Sequence, residues 1–180
     1  MICFYPVHPL YPCKFCSSEI MEIRKATQED WSAIWPIIKT VIAGGDTYTI
    51  APDATEEEML AMWFSPEKHT YVAVSDGRVV GTFFLKANQQ GPGSHVGNAG
   101  YMVAPGEHGK GIGRRMAEWS LDESRRLGFT AMQFNFVVKS NVYAVKLWQD
   151  IGFEIIGEIP DAFKHKELGM VNAYIMYRKL

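Results

Sequence analysis

The segment Val103-Ala104-Pro105-Gly106-Glu107-His108-Gly109-Lys110-Gly111-Ile112-Gly113-Arg114-Arg115-Met116 constrains the fold of this chain more than any other. A short apolar strand, Gly100 to Val103, enters a turn rich in Pro and Gly, and the turn opens directly into an amphipathic helix. A helix start leaves its first N–H groups without intrahelical acceptors, and glycines let a ligand approach that backbone closely. The aligned peptide dipoles add about half a positive charge at the same place. Lys110, Arg114 and Arg115 add formal charge. The pattern reads as an anion site suited to a pyrophosphate.

Two common phosphate motifs are excluded. In Gly109-x-Gly111-x-Gly113 the third glycine comes too soon for a dinucleotide fingerprint, and no Gly-Lys-Ser/Thr follows to make a Walker loop. The spacing Val-x-Pro-x-x-His-Gly-Lys-Gly-Ile-Gly instead resembles the acetyl-CoA loop of the GNAT N-acetyltransferase superfamily, with His108 where Arg or Gln is usual. A second block, Asn141-Val142-Tyr143-Ala144-Val145-Lys146-Leu147-Trp148-Gln149-Asp150-Ile151-Gly152-Phe153, resembles that family's Asn-x-x-Ala-x-x-Leu-Tyr-x-x-x-Gly-Phe. The resemblance covers about Ile23 to the C-terminus. It implies an acetyl-CoA site built from Tyr101, Met102, Val103, His108, Gly109, Lys110, Gly111, Ile112, Gly113, Arg114, Asn141, Ala144 and Trp148. Asn141 is also expected to cap the helix it precedes.

The chemistry implied is direct attack of an amine on a thioester. The tetrahedral oxyanion needs a backbone donor on the strand before the loop, and Met102 or Val103 is the expected position. The attacking amine needs a base or a water chain; His95, Asp46 and Glu107 are the candidates, since the strand Asn98 to Val103 carries no carboxylate. The family's tyrosine, often the acid to the leaving thiolate, is Trp148 here, and an indole supplies no proton at neutral pH. Trp148 therefore reads as packing. Asn98 and Asn135 interrupt apolar strands, where an amide costs stability unless it is satisfied. The bland reading is that they bond neighbouring backbone. Their pattern with Asn141 also resembles fungal family members that acetylate proline analogues, which implies that Asn98 and Asn135 hold the acceptor. Gly45 to Tyr48 and Pro160 to His165 would then shape the pocket.

Composition narrows the remaining classes. The 180 residues, 47% hydrophobic with a net charge of −2, suit one domain without a nucleic-acid partner. No window approaches the roughly 18 consecutive apolar residues of a membrane span. No His pair or acidic pair has metal-ligand spacing, so no metal is expected. Residues 1–20 hold all three cysteines and three prolines without an amphipathic period, and read as an extension preceding an acetyltransferase domain over 21–180. Cys13-x-x-Cys16 has no second ligand pair. The cysteine-free body fits a reducing cytoplasm. Acetyl-CoA is the expected cosubstrate and a small-molecule amine the expected acceptor; dimers are common in this fold. Protein N-terminal or lysine acetylation, and a non-catalytic acyl-CoA-binding module, are the alternatives.

Periodicity supplies the elements. Ile23 to Ala26 reads as a strand, followed by a capped helix that Pro36 should kink or break. Thr55-Glu56-Glu57-Glu58 opens a second helix with a capping box. Asp76-Gly77 marks a hairpin between Tyr71 to Val74 and Val79 to Leu85. His95 to Val103 is the next strand. Helices then follow the Gly loop and Asn141, separated by the strand Ala131 to Val138. The strands Phe153 to Ile156 and Ala173 to Tyr177 close the domain, with Ile159 to Val171 read as a solvated loop. The order predicts a mixed α/β fold, a central splayed β-sheet flanked by helices on both faces.

Overall fold

The computed structural model describes residues 21–180; the expected extension 1–20, with Cys13 and Cys16, lies outside the described residues. Seven strands form one sheet: β1 (Glu22–Lys25), β2 (His69–Ser75), β3 (Arg78–Ala87), β4 (Val96–Val103), β5 (Ala131–Val138), β6 (Glu154–His165) and β7 (Gly169–Lys179). Four helices cover it: α1 (Trp31–Gly44), α2 (Glu56–Trp63), α3 (Ile112–Arg126) and α4 (Val142–Asp150). The strand order is β1-β2-β3-β4-β5-β7-β6. The expected mixed α/β sheet with helices on both faces is what the chain adopts. None of the described helices is long and apolar enough to cross a membrane.

The alternation of side chains along a strand sorts the core into two layers. Phe83, Leu85, Met132 and Phe134 pack with Met116 of α3 and Trp148 of α4 on one face. Val72 and Met102 pack with Ile34, Ile38, Ile42 and Trp63 of α1 and α2 on the other. In α1 the buried stripe is Trp31, Ile34, Ile37, Ile38 and Ile42, and the helix runs through Pro36. The expected break does not occur. Proline removes one hydrogen bond, and burial of five large apolar side chains outweighs it. The Thr55 capping box forms as read: the hydroxyl accepts from the Glu58 N–H at 3.2 Å, and the Glu58 carboxylate accepts from the Thr55 N–H at 2.8 Å.

Two departures from the sequence reading matter for the site. The segment read as a loop from Ile159 to Val171 is the turn half of a long β6–β7 hairpin, paired from Glu154↔Tyr177 to His165↔Gly169. Its register shifts around Pro160 to Ala162, and that interruption is why the period was illegible. The second departure is a register shift in β5 between Phe134 and Val137, which sets Asn135 and Phe136 opposite Ile175 alone. Such a bulge bends its strand and re-aims its side chains.

β4 and β5 are the parallel pair at the centre of the sheet, and they pair only at Val96↔Ala131 and Gly97↔Met132. Beyond Gly97 the strands part. The edge of β4 toward β5 is thereby left open over Asn98 to Val103, directly before the Gly loop.

Candidate active site

The loop from β4 to α3 is built as its sequence predicts. Gly109 and Gly111 both adopt φ +79, a left-handed conformation that a side chain disfavours. A Cβ built on either would meet nothing within 4 Å. Among the described residues, no backbone or side-chain acceptor takes the N–H of any residue from 108 to 113. This row of donors faces open space at the start of a helix, and it fits a pyrophosphate. The side chains around it are partly committed. Lys110 pairs with Glu107 at 2.8 Å, and Arg114 pairs with Asp150 at 2.9 Å. Arg115 makes no ion pair among the described residues.

The open edge of β4 is set by strand parity. The Ala104 N–H donates to the Val80 carbonyl, and the Asn88 N–H to the Val96 carbonyl. The β3–β4 register is unbroken between these points, so even-numbered residues of β4 turn their N–H and C=O toward β3. Odd-numbered residues turn theirs into the gap. The His95 carbonyl agrees, accepting from the Thr130 N–H across the parallel junction. Of the two expected oxyanion donors, Val103 therefore faces the gap and Met102 does not. Met102 pairs with Thr82, and its side chain is 2% exposed within the α1/α2 core. Met102 is corrected from a catalytic to a core position. Tyr101 presents its backbone to the gap as well, and its carbonyl accepts from the Tyr48 hydroxyl at 2.7 Å.

The gap holds a cavity of about 250 Å³. Thr47, Tyr48, Asn98 and Asn135 line it toward α1 and α2; Tyr101, Phe134, Ala144 and Trp148 line it toward α3 and α4, with Asn141 also in its wall. The cavity is thus a slot through the sheet joining its two faces. Asn141 caps α4, its Oδ1 accepting from the Ala144 N–H at 3.1 Å. Trp148 is buried against Phe134, Tyr101 and Phe153, with ring centroids 4.6, 5.1 and 5.8 Å away. The indole packs in the position where the resemblance has a tyrosine.

Three asparagines meet at the α1/α2 side. Asn88 Oδ1 accepts from Asn98 Nδ2 at 3.0 Å and from Asn135 Nδ2 at 2.7 Å. Gln133 Nε2 donates to Asn135 Oδ1 at 2.8 Å. Asn98 and Asn135 therefore bond a third side chain, not neighbouring backbone. The sequence reading missed Asn88, because a polar residue at the end of a strand beside Gln89, Gln90 and Gly91 looks like any loop residue.

The electrostatics of the cavity are neutral. Its lining holds no carboxylate, imidazole or ammonium. Burial pushes the Tyr48 and Tyr101 hydroxyls well above the ordinary tyrosine range, so both stay protonated. The Tyr101 hydroxyl is committed to Ser120 Oγ at 2.6 Å. None of the three expected bases lines the cavity. His95 Nδ1 is 3.1 Å from the Pro92 carbonyl, Glu107 is paired to Lys110, and Asp46 turns back against Gly44.

The comparisons agree with this geometry. Residues 22–153 match the model of the acetyltransferase (GNAT) family. The chain is 32% identical over 168 residues to the N-acetyltransferase aca1 of Schizosaccharomyces pombe, spanning 84% of this chain and 80% of that protein. A GCN5-related N-acetyltransferase from Kribbella flavida superposes with a TM-score of 0.85 at 41% identity, covering 89% of this chain and 98% of the other. The yncA chain of Salmonella typhimurium, solved with its cofactor acetyl-CoA, shares the fold at 22% identity with a TM-score of 0.78, covering 89% and 94% of the two chains. The chain belongs to the acetyltransferase (GNAT) family, N-acetyltransferases whose acetyl donor is acetyl-CoA.

Proposed function

We propose that this enzyme acetylates the amine of a small molecule, an amino acid or proline analogue being the preferred acceptor. The slot through the sheet carries the reading. At about 250 Å³ it is smaller than the roughly 300–1,000 Å³ of drug-sized sites, and amides line its acceptor side. Bound acetyl-CoA supplies the thioester carbonyl that the amine attacks. The free N–H groups of residues 108–113 hold its pyrophosphate from the α3 side. The Val103 N–H, aimed into the gap, stabilises the developing oxyanion. Asn98 and Asn135, pinned by Asn88, orient the acceptor on the opposite side. With no carboxylate, imidazole or ammonium in the lining and both lining tyrosines protonated, the ammonium loses its proton to water before attack. Trp148 offers no proton to the thiolate, and none is required: a thiol of pKa about 8.5 leaves tolerably unassisted.

The test is thiol release from acetyl-CoA against a panel of amino acids, azetidine-2-carboxylate, neutral amines and peptides. Turnover of small amines supports the reading, and turnover of peptides alone refutes it. The same reading places the enzyme in the cytoplasm, in keeping with the absence of cysteine from 21–180, and treats it as a homodimer on the analogy of this fold. Light scattering reading the mass of a single chain would remove the dimer.

A further inference from the structure

The α1–α2 loop sends one side chain, Tyr48, to the open edge of β4, where it lines the slot. Gly100 makes the room for it. Side chains alternate along a strand, so Asn98, Gly100 and Met102 share the α1/α2 face. A Cβ on Gly100 would stand 2.8 Å from the Phe84 ring and 3.4 Å from the Tyr48 hydroxyl, so these two rings fill the space that a side chain there would take. The loop is tied down just before Tyr48. The Gly45 N–H donates to the Ile42 carbonyl at 3.1 Å, and the Gly45 carbonyl accepts from the Lys166 N–H of the β6–β7 turn at 3.2 Å. The Tyr48 oxygen is therefore fixed by the fold itself.

A phenol has one proton to give and two lone pairs with which to accept. The Tyr48 proton goes to the Tyr101 carbonyl at 2.7 Å, a partner that can only accept. Nothing among the described residues donates to the Tyr48 oxygen in return. The hydroxyl thus meets the slot as an acceptor. The Tyr101 carbonyl and the Val103 N–H are successive groups on the same gap-facing edge of β4, so this acceptor stands next to the oxyanion donor. An acetyl thioester has no hydrogen to donate at its reacting carbon. An attacking amine does, and its N–H becomes a stronger donor as nitrogen gains positive charge in the transition state.

We propose that Tyr48 holds the attacking amine, its hydroxyl oxygen accepting an N–H of the acceptor while the Val103 N–H holds the thioester oxygen. The inference rests on the small-amine reading above and names the group that aims the nucleophile; Asn98 and Asn135 hold the rest of the molecule. The nitrogen lone pair forms the C–N bond, the carbonyl pair moves to oxygen and returns, and the C–S bond breaks with its pair on sulfur. The surplus proton on nitrogen passes to water. Tyr48 takes no proton at any stage, and burial keeps its own in place. A hydrogen bond to a group that becomes charged contributes about tenfold to a hundredfold in rate.

The experiment follows acetyl transfer to azetidine-2-carboxylate and to methylamine, with acetyl-CoA binding read by calorimetry. The chains compared are the wild type, Tyr48→Phe and one with 3,5-difluorotyrosine at position 48. Tyr48→Phe should lower kcat for the amines used about tenfold to a hundredfold and leave the Kd for acetyl-CoA unchanged. Fluorination separates holding the amine from merely bracing the strand. It makes the phenol a stronger donor to the Tyr101 carbonyl and a weaker acceptor from the amine, so kcat should fall while Tm holds or rises. An unchanged kcat in Tyr48→Phe overturns the inference, and so does a loss confined to acetyl-CoA binding. A kcat kept or raised on fluorination overturns it too, and this arm decides the matter if Tyr48→Phe does not fold. Each of these outcomes leaves small-amine acetylation intact. Turnover of neither amine by the wild type overturns that reading and this inference with it.

Discussion

Asn88 does the most with the least at the residue scale, because one carbonyl oxygen just past the end of β3 fixes side chains on β4 and β5. Asn88→Ala removes both hydrogen bonds, each of about 0.5–1.5 kcal/mol. We expect KM for the acceptor to rise about tenfold while the Kd for acetyl-CoA, read by calorimetry, holds. Asn135→Ala should likewise weaken acceptor use and spare cofactor binding; unchanged acceptor kinetics would remove Asn135 from the site. At the Gly loop the constraint is backbone conformation. Gly111 has φ +79 and open space where a Cβ would stand, so Gly111→Trp both strains the turn and fills the proposed phosphate cradle. Loss of acetyl-CoA binding by calorimetry is the expected outcome, and retained tight binding would refute the loop assignment. Gly111 was legible from sequence, since a glycine at the end of a strand and the start of a helix has few other uses. Asn88 was not, because its role depends on partners 10 and 47 residues away.

The element that presents the proposed phosphate cradle is α3, and its far end is pinned to the sheet. Glu123 is 7% exposed and accepts from the Tyr71 hydroxyl at 2.6 Å and from Arg126 at 2.6 and 2.7 Å. Arg126 first, and Tyr71 after it, hold the Glu123 carboxyl below its usual range against the opposing effect of burial. Glu123→Gln should lower stability by about 1–3 kcal/mol, seen as a drop in Tm at pH 7, since it leaves buried polar atoms poorly paired. At the β1–α1 junction the Arg24 guanidinium, bonded to Asp30 at 2.7 and 2.8 Å, holds that carboxyl down to about 2. A carboxylate depressed on folding contributes stability that is complete above its unfolded value, about 3.9, and lost as pH falls toward 2. The denaturation midpoints of the wild type and Asp30→Asn should therefore differ at pH 7 and converge near pH 2. A gap that stays constant over that range would show the ion pair to be idle.

The whole molecule brings a neutral slot together from the α1–α2 loop, β4, β5 and α4, and that neutrality sets how its rate depends on pH. With no base in the lining, kcat/KM should rise with pH until the acceptor's own amine is deprotonated. Two acceptors of different amine pKa should show inflections displaced by that difference; one fixed inflection for both would reveal an enzyme base. The sequence by itself determined what depends on neighbours along the chain. The left-handed glycines, the helix start after them, the caps at Thr55 and Asn141 and the apolar stripes of the helices all follow from local dihedral preference and period. The α1 stripe even carried its helix past a proline that local preference opposed. Tertiary structure decided the rest. The parting of β4 from β5 after two paired positions, the bulge at Asn135, the long β6–β7 hairpin, the parity that points Val103 and not Met102 into the gap, and the Asn88 clamp all depend on which strand lies beside which. Strand pairing is settled by burial across the sheet between residues distant in the chain, and no window of sequence contains both partners.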